Sequence, residues 1–199
     1  MKVSEAKKIT GGLSKPSKMP GPAYNLPAYK CITGAKLAKV PGSVCAGCYA
    51  LKGRYRFSNV RDALDRRLAS LSHPQWVDAM VTLIGKQPYF RWHDSGDIQS
   101  AWHLKQIFEV CVRTPGTRHW LPTREVKFLK LLDPEAVPGN LTIRVSSHMI
   151  DQPPVKFWPW TSTVGSSGGT CPAPQNGNKC GPCRACWDRK VQNIQYHEH

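Results

Sequence analysis

The chain lacks any run approaching the ~20 consecutive apolar residues that a membrane span needs, so membrane proteins of the helical kind are excluded. Its opening, Met1-Lys2-Val3-Ser4-Glu5-Ala6-Lys7-Lys8, has no apolar stretch of the kind a secretory signal carries, and predicts a chain that stays in a reducing cytoplasm. No internal repeat is visible, which excludes repeat architectures. Acidic residues are scarce: 13 Asp and Glu stand against 28 Lys and Arg in 199 residues, a formal net charge of +15. Such an excess attracts nucleic acid or another polyanion, but charge alone names no partner.

What is present in quantity is cysteine. Eight cysteines in a cytoplasmic chain point to metal or redox chemistry and not to a disulfide framework. The run Cys171-x8-Cys180-x2-Cys183-x2-Cys186 is set among Pro and Gly, which lets several thiolates converge. Structural zinc usually takes two spaced cysteine pairs. A consecutive C-x2-C-x2-C run is the spacing of ferredoxin-type clusters, completed by a distant Cys followed by Pro. Cys171-Pro172 can supply that ligand. The run therefore predicts a [4Fe-4S] cluster, with zinc as the alternative metal. A second group, Cys31-x13-Cys45-x2-Cys48-Tyr49, offers three thiols. It predicts either a second cluster with one open iron or a structural site completed by another side chain. Cys111 falls on the apolar face of a helix and reads as core.

Three regions are expected: a basic, surface-draped arm over 1–22, an α/β body over 23–165, and a cysteine-rich metal-binding extension over 166–199. A short first strand is expected from Tyr24. Helices are predicted around Val60–Leu71 and Trp76–Ile84, the second capped by Ser72. Strands follow at Pro88–His93, Arg118–Leu121, Asn140–Ser147 and Thr161–Val164. A helix capped by Ser100 and a short helix over 125–132 lie between them. His197 and His199 read as tail. Strands alternating with helices predict βα units. The chain is shorter than the ~250 residues of a full eight-unit barrel, so a partial (βα) barrel of five or six mostly parallel strands is expected.

Sites in such folds form at the carboxyl ends of strands. Conspicuous polar residues fall there: the three thiols after strand one, His93, Asp94, Ser95, Gly96 and Asp97 after strand two, Thr123 and Arg124 after strand three, Ser146 to His148 after strand four, and Gly165 to Gly169 after strand five. Asp94 and Asp97 suit a ligand amine. Arg124 suits a carboxylate or phosphate, and Ser146 a ribose hydroxyl. Gly168-Gly169 would allow a close backbone approach. His93 reads as a satisfied, half-buried side chain. Trp158-Pro159-Trp160 and Arg54-Tyr55-Arg56-Phe57 read either as core aromatics and a solvated basic loop or as stacking aromatics beside phosphate-pairing arginines.

Lys18-Met19-Pro20-Gly21-Pro22, Cys45-Ala46-Gly47-Cys48-Tyr49-Ala50, Arg91-Trp92-His93-Asp94-Ser95-Gly96-Asp97 and Cys180-Gly181-Pro182-Cys183-Arg184-Ala185-Cys186-Trp187 resemble the phage gene product 88 family, which implies a host-cell cytoplasm. More remotely, the layout is similar to the radical S-adenosylmethionine superfamily. Those enzymes place C-x3-C-x2-C and an aromatic after strand one of a partial barrel. Cys45, Cys48 and Tyr49 match the end of that motif, with Cys31 placed upstream across a spacer of thirteen residues. Ser95-Gly96-Asp97 sits where that superfamily grips the cofactor amine, and the four distal cysteines resemble its auxiliary-cluster extensions. The resemblance implies S-adenosylmethionine as cofactor, an electron donor as partner, and radical chemistry on an unnamed substrate. The competing reading is a non-enzymatic, metal-stapled basic protein that binds nucleic acid or a host protein.

Overall fold

Six strands form one sheet in a computed structural model that describes residues 1–198. They are β1 (Ala23–Tyr24), β2 (Tyr89–Trp92), β3 (Arg118–Thr123), β4 (Leu141–Ser146), β5 (Thr161–Gly165) and β6 (Asn193–His197). Every neighbouring pair is parallel, and spatial order equals chain order. An order that never reverses is the winding of a barrel and not of a doubly wound sheet. The sheet stays open, because β1 and β6 are its two edges. No helix among the described residues is long and apolar enough to cross a membrane.

The helices are α1 (Val3–Thr10), α2 (Ile32–Leu37), α3 (Ser58–Ser70), α4 (Trp76–Ile84) and α5 (Ala101–Arg113). In α5, Leu104, Ile107, Val110 and Cys111 recur at helical spacing and are buried. Ser100 caps it, its hydroxyl accepting from His103 N at 3.0 Å. Ser72 does not cap α4. Its hydroxyl donates back to Ala69 O at 3.2 Å, at the end of α3. The helix expected over 125–132 is one 3-10 turn, Val126–Phe128, because so short a segment has little to propagate before Pro134.

Residues 1–22 are not a draped arm. Val3–Thr10 is helical, ends at Gly11 in the left-handed region (φ 75°), and packs on α4 and α3. Ala6 and Thr10, one turn apart, are its buried face. Tyr24 is the hub: its hydroxyl meets Thr10 O at 2.8 Å, Ser70 Oγ at 2.9 Å and Trp76 Nε1 at 3.2 Å. Thus one hydroxyl of β1 ties three helices together.

Side chains alternate across the strands. Phe90, Trp92, Leu121, Leu141, Ile143 and Val145 join the apolar core with α4 and α5. The opposite face carries Arg91, Trp120, Arg144, Ser146, Ser162 and Tyr196. Segment 185–192 covers part of that face, and Trp187 packs on Tyr89 and Trp120. Residues 166–199 are therefore not an appendage, since they lead into β6, which pairs with β5 over five positions. His197 belongs to that strand, and His199 lies outside the described residues. The sixth strand escapes sequence reading because Asn-Ile-Gln-Tyr-His has a single aliphatic residue.

Two core histidines set an acid limit. His103 and His119 are fully buried, and burial pulls the pKa of each down to about 3. Both are neutral in the folded state at pH 7, whereas the unfolded chain protonates them below about pH 6.5. Stability is thus complete above pH 6.5. It falls as pH drops toward 3, by up to about 1.4 kcal/mol per pH unit for each histidine. Urea unfolding at pH 7 and pH 5 should show this loss, and His103→Gln and His119→Gln should each reduce it. The same loss in wild type and both variants would contradict the assignment.

Candidate functional site

The loop after β1 crosses the carboxyl ends of the strands and is braced twice. Cys31 precedes α2, and buried Glu125, just beyond β3, holds the first turn of that helix. Its Oε1 accepts from Thr33 N at 2.7 Å and its Oε2 from Thr33 Oγ1 at 2.8 Å. Further on, Val44 N donates to His148 O at 2.9 Å and Ile150 N to Gly42 O at 3.0 Å, fastening the loop beyond β4. The thirteen residues between Cys31 and Cys45 are thus a folded bridge. They return Cys45 to Cys31 across Gly34: a Cβ placed on Gly34 would stand 3.6 Å from both sulfurs, which are therefore at most twice that distance apart.

Beneath this loop lies a cavity of about 460 Å³. Cys31, Cys45 and Cys48 line it, and so do Asp94, Ser95, Gly96, Asp97, Arg124 and Ser146. These nine residues, drawn from the ends of β1 to β4, share this one space. Thr123 also lines it. Ser147, His148 and Gly165 to Gly169 do not. Gly169 abuts β6 instead, where a Cβ would meet the His197 ring at 2.8 Å.

The end of β2 is rigid. Asp94 N donates to Asn25 Oδ1 at 2.9 Å, and its carboxylate accepts from Asn25 and from Tyr55 at 3.2 Å. Tyr49 donates to the Asp94 carbonyl. Arg91 lies 3.4 Å from the same carboxylate and over the Trp120 ring. Gly96 has φ 80° and touches Leu26 so closely that a Cβ would lie 2.7 Å from its carbonyl oxygen. Asp97 accepts from Ile98 N at 2.7 Å and Thr123 Oγ1 at 2.6 Å through Oδ1, and from Arg124 N at 2.8 Å through Oδ2. Burial raises its pKa to about 6, against the downward pull of these three bonds.

Anionic groups crowd the thiols. Burial pushes the Cys31 thiol up, and Asp97, Cys48, Cys45 and Glu125 add to the shift. Burial also raises Cys45, partly offset by Arg124. Three thiolates beside two carboxylates repel one another, and a bound cationic centre relieves that repulsion. The chemistry of the donor set, three thiols with a buried carboxylate beside them, is that of a metal centre. Among the described residues, no three His, Cys, Asp or Glu side chains stand close enough for a single ion.

The four distal cysteines do not face the cavity. The Cys180 thiol is raised by burial and by Cys171 and Cys183, and Cys171 also acts on Cys186, so the four are neighbours. Cys186 Sγ lies 3.2 Å from the hydroxyl of Tyr196, and Tyr196 lines the cavity. Arg91 connects the two regions electrostatically. Burial opposes its charge, but Tyr49, Asp94, Tyr196 and Cys186 together raise its pKa.

The gene product 88 family model matches residues 1–158. The chain belongs to that family. The match spans the three-thiol loop, β1 to β4 and the whole of Arg91–Asp97, and it stops before Cys171. No curated protein and no solved structure matches the chain.

Sequence reading misjudged His93, left the tryptophan pair open between core and stacking, and missed Glu125. His93 is buried, both ring nitrogens lack a partner among the described residues, and its backbone is left-handed at φ 58°. Strain of that kind collects at functional sites. Trp158 and Trp160 are buried, and their indole N–H groups donate to Ile143 O and Arg189 O, so they do not stack bases. An isolated acid after Arg124 carries no sequence signal for its role.

Gly96→Ala should destabilise the protein by on the order of 2–4 kcal/mol, from a strained φ and overpacking against Leu26. Gly47→Ala, which would meet nothing within 4 Å, should change stability by under about 0.5 kcal/mol. Equal melting temperatures for the two variants would refute the tight brace between β1 and β2.

Proposed function

We propose that this family member is an iron–sulfur enzyme. In this reading Cys31, Cys45 and Cys48 hold a [4Fe-4S] cluster in the cavity, and S-adenosylmethionine binds beside it. One observation carries the reading: three thiols and six polar residues, drawn from four separate strand ends, line the same 460 Å³. The volume is that of an ordinary small-molecule site. A cluster with three thiolate ligands supplies an iron open to an amine and carboxylate and, when reduced, an electron for cleaving the cofactor.

The remaining roles fall to side chains with capacity to spare. Asp97 Oδ2 accepts a single bond and has room for an amine. Arg124 uses Nε on Ser147 O at 3.2 Å, and its terminal nitrogens make no bond among the described residues, so they suit a carboxylate. Ser146 and Ser162 share one hydrogen bond at 2.9 Å, which leaves a hydroxyl proton for a ribose. Cys171, Cys180, Cys183 and Cys186 form the second metal site, a cluster by the spacing of the run, with zinc as the alternative. An external electron donor is the partner this chemistry requires.

Anaerobically purified protein should contain iron and acid-labile sulfide. Stoichiometric zinc without sulfide, in cells supplied with iron, would refute both clusters. Electron paramagnetic resonance of the reduced protein should change when S-adenosylmethionine is added, and Asp97→Asn should weaken the change. Superimposable spectra at saturating cofactor would leave a structural cluster and no such enzyme.

A further inference from the structure

The loop that carries the three thiols also carries an unbalanced charge. From residue 30 to residue 61 there is no Asp or Glu. Lys30, Lys36 and Lys39 precede the Cys45–Cys48 pair, and Lys52, Arg54, Arg56 and Arg61 follow it. All seven are exposed. Residues 42–51 of this loop line the cavity, and Lys39 and Lys52 flank that stretch in the chain. Among the described residues, no carboxylate forms an ion pair with any of the seven.

Aromatic rings stand among these charges. Phe57 is 58% exposed and Tyr49 is 46% exposed. Tyr49 is held by its hydroxyl on Asp94 O and lies 5.9 Å from the Tyr55 ring, which is anchored on the same aspartate. A ring fixed at its polar tip and bare along its flank is a ready stacking surface. Cations alone would suit any polyanion. Cations interleaved with fixed rings at the lip of a cavity suit a chain with phosphates along its backbone and unpaired bases. A duplex keeps its bases closed, and a lipid surface has no use for an anchored tyrosine platform.

We propose that single-stranded nucleic acid lies across this loop, with Lys52, Arg54 and Arg56 on its phosphates, Tyr49 and Phe57 against its bases, and one base at the cavity mouth. The position of that base rests on the cavity being the reaction site. Binding to the loop does not.

Fluorescence anisotropy of labelled oligothymidylate with the full chain tests the proposal. Binding should weaken with salt, since each neutralised phosphate releases counterions. Lys52→Glu/Arg54→Glu/Arg56→Glu should raise Kd at least about tenfold, and Phe57→Ala about fivefold. Lys36→Glu/Lys39→Glu, which leaves the 53–56 turn untouched, should also weaken binding. Lys105→Glu/Arg118→Glu, far along the chain from the loop, should shift Kd less than about twofold. Equal effects from the distant pair would reduce the interaction to net charge and overturn the proposal. So would equal affinity for the duplex, or displacement of the oligonucleotide by phosphatidylserine vesicles. Iron analysis of the same preparation separates the two readings. Binding without iron sinks the cluster alone, and iron without binding sinks this proposal alone.

Discussion

Arg144 holds the molecule together from the inside. It lies on β4, fully buried, with no carboxylate against it, and its guanidinium donates to six main-chain carbonyls. They belong to Ala185, Cys186, Asp188, Val191 and Gln192 of the cysteine-rich segment and to Thr161 of β5. A loop packed against a sheet brings carbonyls that have lost water, and these need donors. A buried charge needs acceptors. Each supplies the other's want, and leaving either side unpaired would cost a desolvation penalty of about 1–3 kcal/mol per group, more for the charge. Arg189 repeats the device in reverse, reaching from the loop to Leu141 O and Pro138 O while lying over Trp160.

From that clamp the position of the cavity follows. Side chains two apart on a strand share a face. Arg144 fastens the segment over the near part of that face, and Ser146, one step on, is left at the floor of an open space. The cavity is what remains between the clamped segment and the loop that crosses the strand ends. The same clamp sets Cys186 beside Tyr196, so one side chain lies against both the distal thiols and the cavity.

Much of this was legible in the sequence. β4 and α5 announce themselves by β-branched density and by apolar spacing with a Ser cap. The strand-end positions of Asp94 to Asp97, Arg124 and Ser146 follow from the βα rhythm, and they do share one space. What escaped depends on partners distant in the chain. The helix in residues 1–22 is stable because of α4. β6 is a strand because β5 offers an edge. Glu125 matters because Thr33 is there to be capped. Trp158 and Trp160, open between core and stacking on sequence alone, are settled as core by the sheet they pack against. Local composition holds no record of such pairings.

The thirteen-residue spacer between Cys31 and Cys45 is the sharpest departure from a compact three-cysteine motif. A short spacer positions ligands by its own length, whereas a long one has to be folded to do so. Closing ten additional residues costs only about 1–2 kcal/mol, because loop entropy grows logarithmically. The Glu125 cap and the backbone bridge at Ser43 and Met149 offset a cost of that size. Gly34 eases the return of the chain, since a Cβ there would crowd Cys31 Cβ at 3.0 Å and touch both sulfurs at 3.6 Å. The longer spacer is therefore no obstacle to convergence of the thiols. It also adds surface, and Lys36 and Lys39 lie on it. The feature that separates this loop from the shorter motif is thus also one that adds to its positive charge.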